Sequence, residues 1–268
     1  MDNPLNLAAS PFDEFPMSNL EAQALAKTWF YPYRLPSGNI TPTYGSGELD
    51  AIHHTRTQML DALLAREFQG ARGGLSAFDM ACHQGWFSMH LAQTGFGRVV
   101  GVDARSEHVA DSKLIRDALG LSNTVELLQH DVHTLDPETL GSFDVCLCFG
   151  LIYHLENPVG ALRMARALTK KVCIVETQVV PGLTGWVDYG SYRFVRPLKG
   201  SFGIIDETDE THGPEASTTG ICLVPSIEAL CWIMDRLGFS RIEILPVPED
   251  GYEQLVHRKR VMVAGFVE

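Results

Sequence analysis

The sequence predicts an α/β fold: a seven-stranded, mostly parallel sheet with helices on both faces and an antiparallel hairpin at its end. Three observations carry this expectation. Short apolar runs alternate with helical patterns from about residue 75 to residue 177. Residues 143–149, Phe-Asp-Val-Cys-Leu-Cys-Phe, are apolar almost without break, as a strand buried on both faces requires. The last two strand-like runs, 240–245 and 260–267, are joined by residues 246–259, too few for a helical crossover with loops.

Taken in order, the first 48 residues read as an N-terminal arm and aromatic segment, and 49–268 as the main domain. Within the arm, Ser18 to Lys27 is helical in pattern. Trp29-Phe30-Tyr31-Pro32-Tyr33-Arg34-Leu35-Pro36 then mixes aromatics with turn residues. Such a segment docks an arm onto a core or, with its lone Arg, caps a binding site. Leu49 to Phe68 is helical, with Ile52, Met59, Leu60, Leu63 and Leu64 as its buried stripe. His53, His54, Arg56 and Gln58 read as its solvated face, on a helix placed to cover a ligand.

The strands follow: about 75–80, 98–102, 124–130, 143–149 and 171–177. Ser106 is expected to cap the helix ending near Gly120, and Asn157 with Pro158 the helix ending near Leu168. Pro181 to Gly220 breaks the alternation and reads as a lid-like insertion carrying Trp186, Tyr189 and Arg193. Its stretch 206–214 has four acids and no base, which implies an exposed loop. Ser226 caps a last helix to Leu237. No internal repeat occurs.

Composition narrows the class of function. Apolar content of 45% and charged content of 20% suit a globular protein with a full core. A net charge of −12 argues against a nucleic-acid surface. No apolar run approaches membrane-spanning length, and the N-terminus lacks a basic-then-apolar secretory pattern. The six cysteines lie mostly in apolar runs without a C-x-x-C pair, as reduced core thiols of a cytoplasmic protein would.

The chemistry concentrates at the carboxyl ends of the strands, where α/β sheets place their ligands. Asp79-Met80-Ala81-Cys82-His83-Gln84-Gly85-Trp86 joins a strand to a helix start, a geometry that aims backbone N–H groups at a ligand. Asp103, 24 positions after Asp79, ends the next strand, where a carboxylate accepts from ribose hydroxyls. The turn lacks the glycines that let a pyrophosphate approach, so a nucleoside ligand suits it better than a dinucleotide. His130-Asp131-Val132-His133 could suggest a metal, but no third ligand stands at useful spacing.

Five parallel-type strands, a nucleoside-type turn and a closing antiparallel pair resemble the Rossmann-like class I S-adenosylmethionine-dependent methyltransferases, over about residues 75–180 and 222–268. The resemblance implies S-adenosylmethionine as cofactor. Asp79, Ala81, His83, Gly85 and Trp86 would lie under its methionine part, Asp103 and Ala104 at its ribose. Asp131 and Val132 would flank its adenine, and Phe149 and Gly150 the methyl group. Ala81 and His83 stand where the family has glycines. Phe149-Gly150-Leu151-Ile152-Tyr153-His154-Leu155-Glu156-Asn157-Pro158, Glu176 to Val180 and Val224-Pro225-Ser226 are similar to the group containing the tRNA wobble-uridine carboxymethyltransferase, which uses carboxy-S-adenosylmethionine. The acidic charge points instead to a small-molecule branch using the ordinary cofactor.

The resulting expectation is methyl transfer to a hydroxyl or amine of a small metabolite or sugar. His154 would act as base and Tyr153 would orient cofactor or acceptor. Tyr31, Arg34, Tyr153, Trp186, Tyr189 and Arg193 would bind the acceptor. Carboxymethyl transfer to a tRNA wobble uridine and a non-catalytic binding module are the alternatives; intact Asp103 and Asp131 speak against the latter. The aromatic N-terminal segment could also serve a homo-oligomer interface.

Overall fold

The computed structural model describes residues 18–44, 47–188, 190, 195–207, 217 and 219–268. Its centre is a seven-stranded sheet built from β1 (Ser76–Met80), β2 (Arg98–Asp103), β3 (Val125–Gln129), β4 (Phe143–Phe149), β5 (Thr169–Gln178), β10 (Arg241–Ile244) and β11 (Arg260–Phe266). The spatial order is β10-β11-β5-β4-β1-β2-β3. β1 to β5 pair in parallel, while β11 runs antiparallel to both β5 and β10. The closing hairpin therefore sits at one edge, and its last strand is the inner member. The chain leaves β1 toward β2 and β3 and returns to β4 on β1's other side. That reversal opens a crevice at the carboxyl ends of β1 and β4.

Alternation along the strands divides the core in two. In β4, Val145, Leu147 and Phe149 pack on one face, and Cys146 and Cys148 on the other, all buried. The first face is covered by α2 (Gly47–Glu67), α3 (Trp86–Gln93) and α4 (Ser106–Ala118), the second by α6 (Pro158–Leu168) and α7 (Ile227–Arg236). The stripe expected on α2 is in place: Ile52, Met59, Leu60, Leu63 and Leu64 are all buried. Among the described residues there are also the short helices α1 (Asn19–Leu25), α5 (Pro137–Leu140) and α8 (Glu253–Val256).

Helix starts follow side-chain chemistry. Asn157 accepts from the Gly160 N–H at 2.9 Å and Ser226 from that of Ala229 at 3.2 Å. Ser106 does not cap: it is the first helical residue of α4, because Asp103 already accepts the N–H of Arg105 at the cap position. No described helix is long and apolar enough to cross a membrane. All six cysteines are free, five of them buried.

The stretch after β5 carries more structure than a loop. β6 (Thr184–Asp188) pairs with β7 (Val195–Lys199), and β8 (Phe202–Asp206) pairs with β9 (Ile221–Pro225), each antiparallel. The acid-rich segment is not uniformly exposed. Asp206 faces solvent, but Glu207 is 2% exposed, because it turns inward onto His154. Residues 208–214 lie outside the described residues.

Candidate active site

The turn after β1 adopts glycine-like geometry with only one glycine. Ala81, His83 and Gly85 all have positive φ, at 56°, 51° and 85°. For an L-residue this conformation costs about 1–2 kcal/mol, so the surrounding contacts hold Ala81 and His83 there. The Cys82 N–H donates to the Val102 carbonyl at 2.8 Å and the His83 N–H to Asp103 Oδ2 at 2.9 Å. Gly85 is needed for packing as well. A Cβ there would meet Ser112 Cβ on α4 at 3.0 Å.

Two carboxylates flank the turn in opposite electrostatic states. Asp79 is buried on β1 and accepts from Ser88 Oγ at 2.7 Å. Burial, reinforced by neighbouring Asp103, pushes its pKa up to about 7 against the pull of that hydrogen bond. Burial also pushes Asp103 up, but the facing His108 ring at 3.2 Å and the Arg105 and His83 N–H groups outweigh it. The net shift of Asp103 is downward. Asp103 is thus a carboxylate at neutral pH, while Asp79 sits near its own titration.

A buried ionic cluster forms the opposite wall. Glu176 on β5, fully buried, accepts from Arg56 Nη2 of α2 at 2.7 Å and from Arg260 Nη1 of β11 at 3.1 Å. The Gly150 N–H joins them, donating to Glu176 Oε2 at 3.1 Å. Arg56 also donates to Tyr31 Oη at 3.1 Å, and Arg260 to Tyr153 Oη at 3.2 Å. Burial alone would lower the pKa of Arg56, but the Glu176 charge holds it above its ordinary value. Two cations against one carboxylate leave an excess positive charge. Arg56 and His53 are therefore not the solvated face of α2. The His53 ring is buried, stacked 3.7 Å from Tyr31 and edge-on to Trp86 at 4.0 Å, and burial lowers its pKa to about 3.

These walls enclose a cavity of about 1030 Å³. Of the residues expected near a cofactor, Asp79, Ala81, His83, Trp86, Asp103, Ala104, Asp131, Val132, Phe149 and Gly150 line it. Gly85 stands behind the turn, packed on α4. Tyr31, Tyr153 and His154 also line the cavity. Arg34 and Trp186 do not. Arg34 is exposed in the arm, its backbone bridged to Ile40, and Trp186 is 72% exposed on β6. Tyr189 and Arg193 lie outside the described residues.

The aromatic segment of the arm docks on the motif turn. Tyr33 Oη donates to the Gln84 carbonyl at 2.7 Å, and the Phe30 N–H to Gln84 Oε1 at 2.8 Å. Trp86 Nε1 donates back to the Pro32 carbonyl at 3.1 Å, so the arm both packs on the core and walls the cavity. His133 bridges Asp131 Oδ1 and the Asn157 carbonyl.

Sequence reasoning overlooked Glu176 and Arg260 as a pair, His108 and Glu207. A signal existed for Glu176, the lone acid ending the apolar run Val-Cys-Ile-Val, where a buried charge demands a partner. Nothing local in the sequence marked Glu207.

Residues 78–175 match the family model of a methyltransferase domain. The chain is similar to the tRNA U34 carboxymethyltransferase of Alteromonas mediterranea, 26% identical over 182 residues, which are 65% of this chain and 47% of that protein. It is also 26% identical to the Desulfotalea psychrophila protein of that name over 169 residues, 62% of this chain and 45% of the relative. The chain thus spans about half the length of the curated relatives it matches. Among solved structures, the N-terminal domain of EvdMO1 with SAH bound aligns with a TM-score of 0.62 at 20% identity, covering 90% of this chain and 92% of that one. The magnesium protoporphyrin IX methyltransferase (ChlM) of Synechocystis PCC 6803 with bound SAH aligns with a TM-score of 0.53 at 17% identity, over 84% and 91%. The segment that matches the methyltransferase-domain model covers the strand–turn–helix core that carries Asp79, Asp103 and Asp131, and the chain shares its fold with these S-adenosylhomocysteine-bound methyltransferase structures.

Proposed function

We propose that the protein transfers a methyl group from S-adenosylmethionine to a hydroxyl or amine of a small metabolite or sugar. One observation carries the reading. A single cavity runs from the left-handed turn, Asp103 and Asp131 to Tyr153 and His154 at the end of β4, so cofactor and acceptor groups share one space. Its volume is at the upper end of the roughly 300–1,000 Å³ of small-molecule sites. The donor set fits the cofactor: Asp79, Asp103 and Asp131 lie around the turn, a suitable field for a sulfonium and an ammonium and a poor one for phosphates.

When bound, the cofactor supplies an electrophilic methyl carbon. The chain's residues do the rest by holding and orienting. Asp103 would hold the ribose hydroxyls and Asp131 the exocyclic amine of adenine. The turn 79–85 would hold the methionine part. Phe30, Trp86 and Phe149 exclude water and align the acceptor with the methyl group. His154 removes the acceptor's proton, and Tyr153, held by Arg260, fixes the acceptor's orientation.

A second reading has its own support. The excess positive charge of Arg56 and Arg260 beside Gly150 and Tyr153 suits an additional carboxylate, as carboxy-S-adenosylmethionine would bring, and with it transfer to a tRNA wobble uridine. The net charge of −12 weighs against it, since a phosphate backbone is bound mainly by cations.

Mass spectrometry of the small molecules released on denaturation, followed by calorimetric titration with S-adenosylhomocysteine, tests both. S-adenosylmethionine or its demethylated product supports the first reading, and the carboxylated cofactor the second. A nicotinamide dinucleotide, or no binding of S-adenosylhomocysteine, overturns both.

A further inference from the structure

The hairpin of β8 and β9 does more than border the cavity. Glu207, at the end of β8, places Oε2 2.6 Å and Oε1 2.8 Å from Nδ1 of His154. Glu207 Oε2 also accepts from the Ser217 N–H at 2.8 Å and from Cys222 Sγ at 3.4 Å. The backbone is fixed with it. The Glu207 N–H donates to the Gly220 carbonyl at 3.0 Å, and the Leu223 N–H of β9 to the Leu155 carbonyl, beside His154, at 3.0 Å. His154, Ser217 and Thr219 line the cavity, whereas Glu207 stands behind His154 and is 2% exposed.

We infer that Glu207 is a positioning residue, supplied by the insertion, that fixes the tautomer and ring orientation of His154 for proton removal from the acceptor. The inference deepens, and rests on, the reading of His154 as base. A carboxylate only accepts hydrogen bonds, so Nδ1 carries the proton and the basic lone pair stays on Nε2. The acceptor's proton passes to Nε2, and the acceptor keeps its electron pair for the new bond to carbon. The resulting imidazolium stays paired with Glu207, a charge that is buried and already oriented. Among the described residues, the titratable groups that face the ring are Glu207 from the hairpin and Tyr153, at 4.1 Å between ring centroids, with Cys222 behind Glu207 and Glu156 also lining the cavity. The insertion thus completes the base; covering the cavity is not its sole contribution.

The test is 15N NMR of protein labelled at histidine, with His154 assigned by loss of its signals in H154A. Wild type is expected to show the Nδ1–H tautomer. E207Q, which keeps size but removes charge, is expected to lower the His154 pKa by at least about one unit and to mix the tautomers. E207D is expected to move both back toward wild type. An unchanged pKa and tautomer in a folded E207Q, checked by its melting transition, would overturn the inference. If E207Q does not fold, the wild-type spectrum carries the test: a predominant Nε2–H tautomer of His154 overturns the inference. These spectra need no acceptor, so they stand apart from the base reading, which fails if H154A retains full turnover.

Discussion

Replacing Glu176 by Gln isolates the charge at the centre of the cavity wall. The substitution preserves volume and leaves an amide oxygen within reach of Arg56, Arg260 and the Gly150 N–H. What it removes is the counter-charge of two buried guanidiniums, 2.7 and 3.1 Å from the present carboxylate oxygens. Breaking a buried ion pair by deleting one partner costs about 3–5 kcal/mol, because the remaining charge is stranded in a poorly solvated place. At an unfolding entropy of about 2.1 cal/mol/K per residue, a chain of 268 residues loses roughly 5–9 °C in Tm. Thermal denaturation followed by circular dichroism measures this directly. The loss should depend only weakly on added salt, since Glu176 is fully buried and both guanidiniums are about nine-tenths buried. A drop smaller than about 2 °C would refute the reasoning, for it would mean that the two arginines are adequately solvated without Glu176.

The other predictions concern the turn and the reacting groups. Asp79 holds its proton to about pH 7 when folded, against an ordinary pKa of 3.8, so the folded state binds the extra proton between those values. The corresponding stability is complete below about pH 4 and is lost as pH rises through about 7; the Tm of D79N should therefore gain on wild type from pH 5 to pH 8, and parallel curves would sink the assignment. D103A removes a carboxylate from the cofactor's side of the cavity, and the Kd for S-adenosylhomocysteine should rise ~10–100-fold by calorimetry; an unchanged Kd would take Asp103 out of the site. H154A should lower turnover by about 10²–10⁴-fold while leaving cofactor affinity within about twofold. Full turnover in H154A would remove His154 from the mechanism.

The fold was legible because its signals are local. A strand buried on both faces must be apolar along its length, as 143–149 is, and the short link 246–259 admits only an antiparallel return. The same holds for Asp79, Asp103 and Asp131, which end strands or open turns and so must stand at the sheet's carboxyl edge. Even the departures at Ala81 and His83 were visible as departures. Only the structure shows that both residues keep the left-handed backbone a glycine would take.

What the sequence could not determine are the partnerships between residues far apart along the chain. Arg56 reads as part of a solvated helix face, Glu176 as a strand end, and Arg260 as a strand start. Strand order alone brings β5 and β11 side by side beneath α2, and burial then makes one carboxylate answer two guanidiniums. Glu207 is the clearest case. Among four acids it reads as solvent-facing, because a charge by default stays in water. The β8–β9 pairing and the Leu223–Leu155 hydrogen bond carry it 53 positions back to His154, where a specific partner outweighs solvation. The sequence by itself determined the sheet and the carboxylates at its edge. Tertiary packing decided which charges are buried, and hence which carboxylate stands behind His154.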